Sequence, residues 1–131
     1  MNIKLLGYLA IALWMSAALG LAENKSGHTT VLQGWLSDEQ CARGRASSGV
    51  YTATGPRCAN ECVAKGIKIV FIDPAAKRIL LIANQDVARG HVGDQVELTG
   101  SVDPQAKSIH VVSLKMLEKG IAMCARPTKG Q

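Results

Sequence analysis

Residues 67–84, IKIVFIDPAAKRILLIAN, decide the fold. The segment holds two short runs rich in β-branched residues, 67–73 and 78–84. Between them Asp73-Pro74-Ala75-Ala76-Lys77 is turn chemistry: proline presets one turn dihedral, and the aspartate can bond its own downstream backbone. Both runs are apolar on both faces. That predicts central strands, or a barrel wall covered from outside.

Working outward, residues 95–102 alternate. Val96, Leu98 and Val102 share one parity, and Glu97 and Thr99 take the other. Gly100 falls at the inward parity, where a missing side chain lets a strand bend sharply. Asp103-Pro104-Gln105-Ala106-Lys107 is a second proline turn, and residues 108–114 form the last strand. Residues 114–119 either extend that strand or begin a helix. Upstream, 31–36 is an apolar-rich strand with Gly34 marking a bulge or bend. Residues 41–57, rich in Gly, Ser, Arg and Thr, read as a loop. Residues 58–65 predict two helical turns stopped by Gly66. The connector 85–93 has room for one helical turn. Five strands, one or two short helices and no βαβ alternation predict an all-β, five-stranded, strongly bent and partly closed barrel. An open sheet with a packed helix is the alternative.

The first 22 residues read as an export signal. Lys4 precedes an uncharged apolar run, and Gly20-Leu21-Ala22 supplies small residues at a cleavage point. The run is shorter than the roughly 20 residues of a spanning helix. Cleavage, a periplasmic or secreted destination and a soluble product without a membrane span are the expectation. Removing 22 of 131 residues leaves 109, enough for one modest core over about 30–118 with a loose C-terminal tail. Losing Lys4 lowers the formal charge from +5 to +4. The charges are interspersed, with Arg43, Arg45 and Arg57 the nearest thing to a cluster.

The segments VFIDPAAKRILLIA and GDQVELTGSVDPQAKSIHVVSL resemble the second half of an oligonucleotide/oligosaccharide-binding (OB) barrel. Together with Asp38-x-x-Cys41 and Cys58-x-x-x-Cys62-Val63-x-x-Gly66, they are similar to small exported bacterial OB-fold-like proteins of unknown function. The resemblance covers roughly residues 30–115. It implies a fold and no catalytic activity, because OB folds bind many ligands.

Four cysteines, Cys41, Cys58, Cys62 and Cys124, in a small exported domain point first to disulfides, with three possible connectivities. Cys58 and Cys62 lie four apart, so a mutual bond within a helix is geometrically awkward. A bond from Cys41 to one of them is expected, with Cys124 pairing the remaining cysteine or staying unpaired. The alternative is a metal-handling or thiol-containing protein, in which Cys41, Cys58 and Cys62 share a soft ion. The spacing matches neither paired C-x-x-C signatures nor a haem site.

No cofactor is implied. His28, His91 and His110 are scattered, Ser47 and Ser48 lack an activating turn, and Asp38-Glu39 reads as the start of a turn or helix. With no acid–base or nucleophile set, the expectation is a noncatalytic binding or envelope-associated module. Its partner would be an anionic ligand or another envelope protein, with no intracellular nucleic acid. Trp35, with Arg43, Arg45 and Arg57, is the candidate ligand face, supported by Tyr51 and Lys68. OB barrels stack ligands on aromatics set among basic residues. Packing in the core or at the barrel end is the competing role for Trp35.

Overall fold

The computed structural model describes residues 28–120; the segment 1–22 expected to be an export signal, and Cys124, lie outside the described residues. Its elements run β1 (Thr29–Asp38), α1 (Glu39–Ala46), α2 (Pro56–Ala64), β2 (Ile69–Asp73), β3 (Arg78–Ile82), a 3₁₀ helix (Gln85–His91), β4 (Gln95–Asp103) and β5 (Ser108–Glu118). The strands close into a barrel in the order β1-β2-β3-β5-β4. Pairings are antiparallel except β3 with β5. This is an all-β, OB-like barrel.

One long strand closes it. Residues 29–35 of β1 pair with β4, and residues 35–38 pair with β2, so Trp35 faces Gln95 on one side and Ile72 on the other. Gly34 sits at that crossover. A Cβ there would collide with the Ile72 carbonyl oxygen and the Phe71 ring. The second bend is at Gly100, where the β4–β5 register shifts and a Cβ would strike the His110 carbonyl. Both glycines are required by close backbone approach.

Period-two alternation sorts the side chains into two clusters. Leu36, Ile69, Phe71, Leu80, Ile82, Val96, Leu98, Ile109 and Val111 fill the interior, with Ala59 and Val63 of α2 and Ala88 of the 3₁₀ helix packed against them. Val70 and Ile72 point out of the barrel and are covered by Ala42 of α1, with Trp35, Tyr51, Ile79 and Leu81 around them. The two-faced apolar character of β2 therefore reports a wall covered from outside.

That cover is an unexpected helix. Residues 41–57 were expected as a loop after a turn or helix start at Asp38-Glu39, yet the helix α1 runs on from Glu39 to Ala46, and β5 continues to Glu118 as a strand. α1 is started by Asp38, whose Oδ1 accepts the Cys41 backbone N–H at 2.9 Å. It is reinforced by an i,i+4 contact from Arg43 Nε to Glu39 Oε1, 2.8 Å. α2 begins one residue after Gly55 on Pro56 and ends before Gly66, which adopts φ 95°. No helix among the described residues is long and apolar enough to cross a membrane.

Candidate ligand cleft and thiol cluster

The two proline turns emerge at one end of the barrel. In the β2–β3 turn, Asp73 Oδ1 accepts the Ala76 N–H at 3.1 Å. In the β4–β5 turn, Asp103 Oδ1 accepts from Gln105 N at 2.9 Å and Ala106 N at 3.0 Å. Both segments read Asp-Pro-x-Ala-Lys, and the lysines adopt left-handed backbone conformations, φ 49° at Lys77 and 50° at Lys107. The Leu81 N–H donates to the Lys107 carbonyl at 2.9 Å, which pins the second turn beside β3.

Between these turns and α1 lies an open cleft of about 540 Å³. α1 and the residues after it contribute Arg43, Ala46, Ser47 and Tyr51. β3 and its turn contribute Lys77, Arg78, Ile79 and Leu80, and the β4–β5 turn contributes Pro104 and Lys107. Among the described residues, four cations and no carboxylate line it. Two are partly neutralised from outside the cleft, Arg43 by Glu39 and Arg78 by the buried Asp73 at 2.9 Å. The excess positive character therefore falls on the lysines.

The expected ligand face is redrawn by this geometry. Arg43 and Tyr51 line the cleft. Arg45 instead clamps the following loop, with Nη1 donating to the Ala53 carbonyl at 2.6 Å and Nη2 to Thr52 Oγ1 at 2.9 Å. Arg57 lies exposed on α2 beside Glu61, 3.3 Å away. Lys68 is exposed, and its carbonyl receives the Glu39 N–H. Trp35 does not line the cleft; it is half-buried in the outer cluster beneath α1. Trp35→Ala should therefore cost stability, toward the lower end of the ~3–5 kcal/mol seen for large aromatic truncations. It should leave anion binding unchanged, as a thermal melt and a titration would check. Lys77 and Lys107 escaped the sequence reading, although the repeated Asp-Pro-x-Ala-Lys segment was a visible signal.

The second cluster joins β1, α1 and α2. Ligand atoms of Asp38, Cys41 and Cys62 all lie within 4.8 Å of one another. The expected bond from Cys41 to Cys58 or Cys62 is not formed; Cys41 and Cys62 are unbonded thiols. Cys58 sits exposed on α2, outside this group. The metal set expected from three cysteines is thus altered, with Asp38 standing where Cys58 was expected. Asp38 is fully buried, and its Oδ2 carries no hydrogen-bond partner among the described residues.

Burial pushes the Cys41 thiol up from 9.0 to about 11, with the neighbouring Asp38 carboxylate and, to a smaller degree, Cys62 acting in the same direction. The folded state therefore holds this proton more tightly than the unfolded chain. The stability it contributes is present below about pH 9 and is lost as pH rises toward 11. Metal-free protein should accordingly lose denaturant resistance over that window relative to Cys41→Ser. An unchanged difference between the two curves would contradict the assignment.

No family model, curated protein or solved structure matches the chain.

Proposed function

We propose that this chain is an exported, noncatalytic OB-like module that holds an anionic ligand in the cleft between α1 and the two proline turns. The carrying observation is the convergence of Arg43, Lys77, Arg78 and Lys107 on one cleft whose lining, among the described residues, includes Tyr51 and no carboxylate. OB barrels use the face of strands 2 and 3 with the loops after strands 1 and 4 for ligands. The cleft occupies that region here, since α1 lies in the β1–β2 connection and Lys107 in the β4–β5 turn. Export rests on the leader pattern of residues 1–22.

The cleft is open to solvent, which suits a segment of a longer anionic chain better than a small molecule fully enclosed. The arginines offer planar forks to carboxylate, sulfate or phosphate oxygens, while the lysines offer point charges. The test is a chemical-shift titration of the whole chain with tetragalacturonate and, separately, inorganic phosphate. Shifts concentrated on 43–51, 77–80 and 104–107 support the reading. Shifts spread evenly over the surface, or none with either probe, refute it.

A further inference from the structure

We infer that Asp38, Cys41 and Cys62 form a binding site for one zinc-class divalent ion, with Asp38 Oδ2 and the two sulfurs as protein ligands. It stands apart from the anion cleft and does not depend on it.

The elements converge on the site for independent reasons. β1 ends at Asp38, α1 begins there, and Cys41 is one turn on, so the cap residue and the first thiol share the helix start. Cys62 arrives from α2, which is held against the barrel by Ala59 and Val63. One carboxylate oxygen of Asp38 and the two sulfurs fall within 4.8 Å of one another. A tetrahedral zinc with bonds of ~2.3 Å to sulfur and ~2.0 Å to oxygen sets two sulfurs about 3.8 Å apart and a sulfur and an oxygen about 3.5 Å apart, so contractions of at most about 1.0 and 1.3 Å complete the geometry.

The second observation is Asp38 itself. Its carboxylate is fully buried: Oδ1 caps α1, and Oδ2 has no hydrogen-bond partner among the described residues. An orphaned buried carboxylate oxygen is costly unless something positive meets it. A divalent cation between it and the two thiols would do so. On binding, each thiol releases its proton to solvent as its sulfur–metal bond forms, and no electron is transferred. The mixed set of one hard oxygen and two soft sulfurs favours zinc over calcium, magnesium or cuprous copper. Three protein ligands leave a fourth position for water or an external group, and both cysteines are only half-buried, so that position is reachable.

The experiment uses the whole chain expressed for export, recovered, reduced anaerobically and titrated with Co²⁺ as a spectroscopic stand-in for zinc. The expected result is a thiolate-to-cobalt charge-transfer band saturating at one equivalent and displaced by Zn²⁺. Cys41→Ser and Cys62→Ser should each abolish the band, while the Cys58→Ser/Cys124→Ser double variant should keep it. Asp38→Asn preserves the helix cap and should weaken Zn²⁺ at least tenfold; should it fail to fold, Asp38→Ser, also a cap former, makes the same test. The assignment is overturned by absence of the band, by loss of the band in a folded double variant, or by undiminished affinity without the Asp38 carboxylate. It is equally overturned if protein alkylated at recovery carries a Cys41–Cys62 disulfide.

Discussion

Phe71→Ala should lower stability by about 3–5 kcal/mol, the range for removing a fully buried aromatic. Phe71 has the largest side chain among the fully buried residues and sits in the interior cluster. Its ring also lies against Gly34, at the place where β1 changes partners from β4 to β2. Truncation would therefore empty the barrel beside its closing bend. Collapse to refill the space is resisted there by backbone already in contact, the Ile72 carbonyl against Gly34. Domains of this size have about 5–15 kcal/mol in all. A drop in melting temperature of roughly 12 °C or more is expected. A shift of only a few degrees would mean that the interior repacks freely and that Phe71 is no keystone.

How far this was readable from residues depends on the element. The β2 and β3 runs were legible because burial on both faces leaves an uninterrupted apolar signature, and Gly34 and Gly100 were legible as bends because each interrupts a strand at an inward position. Helix α1 was hidden. EQCARGRA has no apolar stripe and contains Gly44; its helicity is set by the Asp38 cap, an Arg43–Glu39 pair and the docking of Ala42 on Val70 and Ile72. Packing on a partner element leaves little trace in local sequence. Both sites depend on that helix. Cys41 meets Cys62 because α1 and α2 lie against one barrel, and Arg43 meets Lys107, 64 positions away, because β5 runs parallel beside β3. Trp35 attracted notice as an isolated aromatic, but the covering helix turns it into packing.

The double variant Lys77→Asn/Lys107→Asn should lose about 100-fold in affinity for an anionic probe that engages both lysines, with almost no change in stability. A hydrogen bond to a charged group contributes roughly 1.5–3 kcal/mol, so two lost contacts near the lower limit already amount to two decades. The stability half follows from the backbone. Both lysines hold left-handed φ, 49° and 50°, a conformation that disfavours most residues and that asparagine tolerates. Neither lysine is part of either apolar cluster, and both are exposed at turn ends. Asparagine thus removes the charge while suiting the turn at least as well. This separates two explanations for the lysines: if they served only the turns, the variant would melt at the same or a higher temperature and bind the probe as before. If they serve a ligand, melting is preserved and binding collapses. The single variants should each lose about tenfold. Wild-type affinity should fall as salt rises, since exposed charges are screened over about 8–10 Å at ordinary ionic strength; the double variant should show a shallower salt dependence. Titration calorimetry with tetragalacturonate at two salt concentrations reads both quantities. Undiminished binding in a folded double variant would remove the lysine pair, and with it the cleft, as the anion site.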